Sequence, residues 1–215
     1  MFEEPHPSLV SPNPGGTDDP LGESVLETEA WLRCFEPRDV RLVIGRHQDP
    51  QRELHVAQAQ QDGVLIHRRV AGGGAVVLAP GMLVVALRLR PQTVAPDQLF
   101  ALVNTALAPA VERVLGRPPV LRGHGDLAVD ERKVLGASLR QTSRYALYLG
   151  VLLVADAVPL MERYLAMPSR EPGYRGGRGH ADFCTHLGRW GATVEGLAQA
   201  VEDECRGRLC RSSDA

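Results

Sequence analysis

The segment 68–75 places two arginines two residues before three consecutive glycines and reads Arg68-Arg69-Val70-Ala71-Gly72-Gly73-Gly74-Ala75. Three glycines are costly for a mere connection, because each adds conformational freedom to the unfolded chain. They allow main chain to approach a ligand closely and to present N–H groups to it. Guanidinium groups bind phosphate and carboxylate oxygens in pairs. The segment therefore predicts an anion-binding loop, and a glycine-rich hairpin with two solvated arginines is the alternative.

This segment departs from the two common phosphate-binding motifs. No Gly-Lys-Ser or Gly-Lys-Thr follows the glycines, and GxGxxG with an acidic residue about 20 positions later is not matched. A second segment, Gly45-Arg46-His47-Gln48, lies between an apolar run and a helix start, where binding groups often project. Arg46 is therefore a candidate cation for the same anion, and a surface arginine after a strand-ending glycine is the alternative.

A third segment carries a candidate catalytic amine. Lys133 opens an apolar run, and Gly136 and Ala137 follow closely, so its neighbours are small enough to admit a ligand. An ammonium group there can pair with a phosphate or with the oxygen of an activated acyl group. Upstream, His124 is a possible general base, because imidazole exchanges protons near neutral pH. A solvated lysine and a loop histidine without a role are the alternatives.

The hydrophobic pattern predicts the elements that position these segments. Apolar runs predict strands at 40–45, 64–68, 82–89, 126–129, 133–139 and 146–154. Helices are predicted from Asp19 through Leu32, from Asp49-Pro50 to Gln61, over 99–114 with Gly116 at its end, and at 156–166, 181–187 and 194–206. A polar loop covers 168–180. The order lacks the regular alternation of a doubly wound sheet.

The segments GRxQ, RRxxGGGAV, GDL and RKVLGAS follow one another in an order that resembles the catalytic domain of lipoate–protein ligases and octanoyltransferases. The run YLGVLL at 148–153 looks like that family's glycine-containing strand. Pro172-Gly173-Tyr174-Arg175 resembles its arginine-bearing loop. The likeness extends over roughly residues 20 to 190. Several motifs in one order are harder to meet by chance than any one of them.

The resemblance implies an α+β fold, with a mixed β-sheet backed by helices, like the biotin and lipoate ligase catalytic domain and the class II synthetases. The acyl chain would lie in a tunnel. Lys133 would be the catalytic cation at the acyl carbonyl, and Asp126 would lie near the phosphate or magnesium. The residues that it assigns to acyl or adenylate binding are Arg46, Arg68, Arg69, Gly72, Gly73, Gly74, Ala75, Gly136 and Ala137.

The implied activity is attachment of lipoate or octanoate, through an acyl-adenylate made with ATP and Mg²⁺, to a lysine of a lipoyl carrier domain. Such domains belong to 2-oxoacid dehydrogenases and to the glycine cleavage H protein. One alternative is an ATP-independent octanoyltransferase that takes octanoyl from acyl carrier protein. Another is a non-catalytic acyl-binding homologue, and a biotin ligase is more distant.

Three departures from the family pattern keep these alternatives open. After the glycines, the stretch 77–82 is apolar where many members have His-Asp and then Gly-Asn, so a nucleotide has fewer polar partners. The stretch 120–125 has no cysteine, which excludes thioester catalysis at that position, and Cys184 is a poor substitute. After Trp190 about one helix remains, so we expect no C-terminal accessory domain and a separate accessory subunit or an activated donor.

Length and composition set the remaining expectations. The 215 residues suit one domain at 19–215, preceded by a flexible, proline-broken lead-in at 1–18. A formal charge of −2 gives no general attraction to nucleic acid or anionic membranes. The sequence has no long apolar span or secretory signal, so the expected location is the cytoplasm. Four cysteines without a CxxC pair argue against a zinc site or disulfide framework.

Overall fold

Ten β-strands form two sheets in the computed structural model, which describes residues 10–11, 19–91 and 93–209. In chain order the strands are β1 (Val10–Ser11), β2 (Leu32–Phe35), β3 (Arg41–Ile44), β4 (Leu65–Arg68), β5 (Val76–Leu78), β6 (Met82–Leu89), β7 (Val120–Arg122), β8 (Asp126–Val129), β9 (Arg132–Gln141) and β10 (Ala146–Leu153). The larger sheet is antiparallel, with the order β2-β6-β10-β9-β8-β7. The smaller sheet has the order β1-β4-β3-β5 and is mixed, because β3 is parallel to β4 and antiparallel to β5.

Helices cover the outer face of the larger sheet and connect the strands. The α-helices are α1 (Pro50–Glu53), α2 (Val56–Gln61), α3 (Pro96–Leu115), α4 (Val158–Tyr164), α5 (His180–Phe183) and α6 (Val194–Leu209). Single 3₁₀ turns are formed by Glu23–Leu26, Gly173–Arg175 and Leu187–Trp190. No helix in the described part of the chain combines the length and the apolar character needed to cross a membrane.

The central strand β10 lies between two apolar layers and is buried along its whole length. Leu147 and Leu149 face the smaller sheet, whereas Tyr148 and Leu152 face α3 and α6. Each buried leucine contributes roughly 1.5–3 kcal/mol through the hydrophobic effect. The Tyr148 hydroxyl donates a hydrogen bond to Asn104 Oδ1 of α3 at 2.6 Å, so this buried polar group is satisfied. Burial on both faces explains why the strand is a continuous apolar run.

The predicted α+β fold with a mixed sheet and helices is confirmed, although the strands divide between two sheets. The predicted strand 82–89 coincides with β6, and α3 ends at Gly116, whose φ of 67° suits glycine. The predicted helix 50–61 is interrupted between α1 and α2, because Leu54 pairs with Leu165 and the His55 N–H donates to Tyr164 O. The short strands β2, β5 and β7 were not predicted.

The helix predicted from Asp19 to Leu32 is wrong, since only Glu23–Leu26 is helical and Leu32 begins β2. Gly22 has a φ of 74°, and a Cβ there would lie 2.9 Å from the Phe35 ring, so the chain turns sharply before the 3₁₀ segment. The predicted flexible lead-in at 1–18 lies outside the described residues, apart from Val10–Ser11. That pair adds to the smaller sheet beside β4.

Candidate functional site

The ammonium of Lys133 pairs with Asp126 across the hairpin formed by β8 and β9. Asp130 and Glu131 adopt left-handed backbone conformations with φ of 49° and 58°, which folds β9 back onto β8. A register shift at Leu127 and Ala128 follows. Lys133 Nζ then lies 2.8 Å from Asp126 Oδ1, with the lysine side chain 26% exposed. The cation is thereby fixed in place while it stays open to a ligand.

Tyr174 holds the second oxygen of the same carboxylate. Its hydroxyl donates to Asp126 Oδ2 at 2.8 Å from a loop 48 residues downstream. Burial, with a further contribution from the charge of Asp126, raises the pKa of Tyr174 far above its ordinary value, so the hydroxyl stays a donor. Arg178 supports this loop by donating to Tyr174 O at 2.7 Å. The sequence named Tyr174 only as part of the arginine-bearing loop and assigned it no role, because nothing in local spacing reports a contact over that distance.

Gly136 provides the space that the Lys133 side chain occupies. A Cβ at position 136 would lie 2.5 Å from both Cε and Nζ of Lys133, far inside van der Waals contact. Glycine therefore lets the lysine lie over β9 and reach Asp126. Ala137, the next predicted site residue, lies on the opposite face of β9 and packs against the α3 side of the sheet. The structure does not bring Ala137 to the Lys133 face.

We define the glycine loop as residues 70–75. The side chain of Arg69, the residue before it, is enclosed by this loop and binds its carbonyl groups. Arg69 as a whole is 3% exposed. It donates to Gly72 O at 2.9 and 2.8 Å and to Gly74 O at 2.6 Å. Burial lowers the pKa of Arg69 to about 10, against an opposing effect of Glu23. In a trans peptide the N–H points opposite to the C=O, so the N–H groups of Gly73 and Ala75 face away from Arg69.

Arg68 holds the neighbouring loop 45–48 in the same manner. Its Nη1 donates to the carbonyl oxygens of Gly45, Arg46 and Gln48 at 3.1, 3.2 and 2.7 Å. A Cβ on Gly45 would lie 2.2 Å from Gly73 O, so the two loops touch and position 45 requires glycine. The Arg46 N–H also donates to Ala71 O at 3.0 Å, while its side chain is exposed. Two segments that are separate in the sequence thus form one surface.

The glycine loop also contacts β9. The position of a Cβ on Gly73 lies 3.4 Å from Ser138 Cβ. Arg140 Nη1 donates to Val70 O at 3.4 Å. Ser138 lies two residues beyond Gly136 on the same face of the strand, so the glycine loop lies over the face of β9 that carries the Lys133 side chain. All three segments that the sequence singled out therefore converge.

An apolar cavity of about 100 Å³ lies beside Lys133 and Gly136. Its wall is mainly apolar and comes from β5, β10, α4 and α5, and Arg175, His180 and Cys184 also line it. The apolar residues that line it are Ala75, Val76, Val77, Val151, Leu153, Met161, Leu165 and Phe183. Val77, from the apolar stretch 77–82, places an aliphatic group on the cavity wall. A narrow apolar cavity with an ammonium on its wall suits an acyl chain that ends in an anionic head.

His124, the possible general base, and Cys184, the alternative nucleophile, have different surroundings. His124 Nδ1 lies 2.7 Å from Asp97 Oδ1 at the start of α3, and its side chain is 77% exposed, outside the cavity. Cys184 lines the cavity. Burial raises the pKa of its thiol, so at neutral pH it is a weaker nucleophile than an ordinary cysteine.

The described residues at this site do not form a set of side-chain ligands for magnesium. No group of three or more histidine, cysteine, aspartate or glutamate side chains in the described ranges is arranged to hold a metal ion. Both oxygens of Asp126 are engaged, by Lys133 and by Tyr174, so Asp126 does not fit as a direct ligand in this arrangement. Magnesium bound with a nucleotide is commonly held by phosphates and water with one or two carboxylates.

Position 133 is also distinguished by its residue type. Lys133 is the only lysine in the chain, and every other member of the 24 Lys and Arg residues is arginine. An ammonium is a compact charge with three donors, whereas a guanidinium is a planar fork. In a chain that otherwise uses arginine throughout, the single ammonium lies at the cavity.

A family model and a curated relative both relate this chain to lipoate-protein ligases. Residues 17–206 match the model of the family described as the lipoyl protein ligase A/B catalytic domain. A candidate lipoate-protein ligase A of Aeropyrum pernix is 30% identical over 156 residues, which cover 73% of this chain and 58% of that protein. The chain therefore spans less than two thirds of the length of this relative.

Solved structures share the fold at low sequence identity. A candidate lipoate protein ligase of Thermoplasma acidophilum with bound lipoic acid has a TM-score of 0.69 at 19% identity, covering 83% of this chain and 72% of that chain. A lipoate-protein ligase A bound with ATP has a TM-score of 0.70 at 20% identity, with coverage of 83% and 72%. A bipartite lipoate protein ligase of Thermoplasma acidophilum, studied with its E2 lipoyl domain, has a TM-score of 0.69 at 20% identity, covering 83% and 71%.

Proposed function

The chain belongs to the lipoyl protein ligase A/B catalytic domain family, and from this premise we propose that it joins lipoate or octanoate to a lysine of a lipoyl carrier domain. The reaction uses ATP and passes through an acyl-adenylate. The observation that carries the proposal is the apolar cavity with Lys133 on its wall. The cavity accepts the aliphatic chain, and the ammonium faces the acid or adenylate at its end.

The first half-reaction joins the acid to AMP. A carboxylate oxygen of the acyl acid bonds to the α-phosphorus of ATP, the bond from that phosphorus to the bridging oxygen breaks, and pyrophosphate leaves. Lys133 faces the negative charge of this step, because its ammonium has two hydrogens besides the one directed at Asp126. Holding both anions in a reactive orientation supplies much of the acceleration.

The second half-reaction transfers the acyl group. The amine nitrogen of the carrier lysine bonds to the acyl carbon, the bond from that carbon to the phosphate oxygen breaks, and AMP leaves with the electron pair. The amine releases its proton to water. Negative charge builds on the acyl oxygen, and the Lys133 ammonium stabilises it.

The glycine loop supplies neutral donors to the phosphate. The Gly73 and Ala75 N–H groups face away from Arg69, whose guanidinium fixes the carbonyls on the other side. Arg46 adds an exposed cation at the edge of the same surface. Arg68 and Arg69 contribute by shaping the two loops, since the contacts of both guanidinium groups are to loop carbonyls.

Relatives support the choice of substrates and partners. Among the structural relatives, one has lipoic acid bound, one has ATP bound, and one was studied with its E2 lipoyl domain. The proposal extends to lipoyl domains of 2-oxoacid dehydrogenases and of the glycine cleavage H protein as acceptors. The bipartite ligase also supports a separate accessory subunit as a partner.

A second candidate function is an octanoyltransferase that takes the acyl group from acyl carrier protein without ATP. Val77 favours it, because the cavity wall at this position has an aliphatic side chain and no hydrogen-bonding group for a nucleotide. In that reaction Lys133 would face the thioester oxygen in place of an adenylate.

Mass spectrometry of an acceptor lipoyl domain separates the two functions. The domain is incubated with the protein and lipoate or octanoate, with and without ATP and Mg²⁺, and separately with octanoyl-acyl carrier protein. Acylation that requires ATP and releases pyrophosphate is the expected result. Acylation only from the carrier thioester would favour the transferase. Binding of lipoate without acylation under any condition, with an accessory subunit added, would overturn both in favour of a non-catalytic acyl-binding protein.

A further inference from the structure

The Glu23 carboxylate is buried against the glycine loop, although nothing in the sequence assigned it a role there. Glu23 is 2% exposed. Its Oε1 accepts a hydrogen bond from the Val70 N–H at 2.8 Å, and its Oε2 lies 3.5 Å from His67 Nε2. A buried carboxylate is strongly unfavourable unless opposite charge and donors compensate it. The hydrogen bond from Val70 therefore ties the Glu23 carboxylate to the first residue of the glycine loop.

Two basic side chains lie near the Glu23 carboxylate: His67, in the contact given above, and Arg69, on which the charge of Glu23 acts. Glu23 raises the Arg69 pKa against the lowering caused by burial, so the two charges stabilise each other. All three of the Arg69 hydrogen bonds described above go to the carbonyls of Gly72 and Gly74, which are neutral acceptors. Without Glu23, the guanidinium would keep those acceptors but lose its nearby negative charge. A protonated Arg69 would then be less favourable inside the loop.

Glu23 is itself held in a fixed position. The Glu23 and Ser24 N–H groups donate to Asp19 Oδ1 and Oδ2 at 2.7 and 3.0 Å. Arg33 of β2 donates to Asp19 Oδ2 at 2.8 Å. The neighbouring Val25 is fully buried. A rigid segment therefore presents the carboxylate to the glycine loop.

We propose that Glu23 is a positioning residue of the acyl-activating site, whose carboxylate sets the conformation of the glycine loop through the Val70 N–H and the Arg69 guanidinium. With Arg69 in place, the carbonyls of Gly72 and Gly74 point inward and the N–H groups of Gly73 and Ala75 point outward. The effect on the loop stands on these contacts. The effect on turnover rests on the proposed function.

Hydrogen–deuterium exchange of the full chain tests the effect on the loop. Glu23→Gln keeps an acceptor for Val70 but removes the charge, and amides in peptides covering 70–76 are expected to exchange roughly tenfold faster. Glu27→Gln, an exposed residue four positions later, is the matched control and is expected to exchange like the wild type. Wild-type exchange in Glu23→Gln would overturn the proposal. Should Glu23→Gln not fold, Glu23→Asp keeps the charge at shorter reach and is expected to show the same loop-specific increase.

The double variant Glu23→Gln/Arg69→Met separates positioning from general stabilisation. Glu23→Gln alone leaves the Arg69 charge without its negative neighbour and is expected to lower the Tm, whereas removing both charges is expected to bring the Tm back toward that of the wild type. The loop of the double variant is still expected to exchange fast, because Gly72 O and Gly74 O have lost their donor. Acylation kcat/KM is expected to stay low in the double variant. Recovery of loop protection together with the Tm would overturn the proposal. An inactive wild type would contradict the proposed function alone and leave the exchange result to decide the role of Glu23.

Discussion

The side chain of Lys133 fills the space on the surface of β9 that a side chain at Gly136 would need. A Cβ at position 136 would come within 2.5 Å of Lys133 Nζ, so any larger residue displaces the ammonium from Asp126. Gly136→Ala is therefore expected to lower the acylation kcat/KM by about 100-fold, because a misplacement of about 1 Å at a reacting centre has effects of that size. Steady-state kinetics with a lipoyl domain measures it.

Gly207→Ala is the matched control for Gly136→Ala. Gly207 lies in α6, and a Cβ there would meet no atom within 4 Å. Its activity is expected to equal that of the wild type, and its Tm to rise slightly through helix propensity. Equal activity of Gly136→Ala and Gly207→Ala would show that the position of Lys133 over β9 has no bearing on turnover.

The Tyr174 hydroxyl is expected to contribute to turnover through Asp126. Tyr174→Phe removes this donor and keeps the ring, whose centroid lies 5.0 Å from that of Phe183. A hydrogen bond to a charged group contributes about 1.5–3 kcal/mol, so kcat is expected to fall by roughly 10-fold with little change in the KM for lipoate. A fall in Tm without any change in kcat would assign the hydroxyl a purely structural role.

Alkaline pH tests the same contact through stability. Burial raises the Tyr174 pKa, so the folded protein keeps this proton where an unfolded tyrosine loses it, near pH 10. The unfolded state then binds fewer protons, and the stability from this group is present below about pH 10 and falls as the pH rises further. Tyr174→Phe is expected to lose Tm less steeply than the wild type above that pH in thermal melts. Parallel curves would argue against the raised pKa.

The cavity wall is expected to control acyl chain length. Val77→Phe adds bulk to a cavity of about 100 Å³, and overpacking of this kind is unfavourable by about 1–3 kcal/mol. The KM for lipoate and octanoate is expected to rise at least about 5-fold, with a smaller rise for butyrate. Val120→Phe, at a site that is 49% exposed, is the control. Unchanged KM values for both long acids in Val77→Phe would place the acyl chain elsewhere.

A thiol nucleophile is not expected in the reaction. Burial raises the Cys184 pKa, so its thiolate fraction at pH 7 is below that of an exposed cysteine. Iodoacetamide at pH 7 is expected to alkylate the peptide containing Cys184 slowly and to leave acylation largely intact, with faster labelling as the pH rises. Rapid labelling of Cys184 at pH 7 with matching loss of activity would point to thioester chemistry.

Local sequence pattern predicted the long elements well and the partners of charged groups poorly. The spacing of Leu99, Val103 and Leu107 reports one face of α3, because a helix repeats within a few residues. Arg69 carries no such signal, since only the folded loop decides whether its guanidinium meets a ligand or the carbonyls of Gly72 and Gly74. Likewise, Tyr174 and Glu23 contact residues 48 and 47 positions away.

Amine labelling of Lys133 tests the central claim most directly, because this residue is the only lysine of the chain. An acetylating reagent is applied with and without lipoate at about ten times its Kd, with acetate as a control acid, and the modified peptide is quantified by mass spectrometry. Lipoate is expected to slow acetylation of Lys133 about tenfold, in proportion to occupancy, while acetate has little effect. An unchanged labelling rate, with lipoate binding verified by calorimetry, would contradict an ammonium that meets the acyl head group.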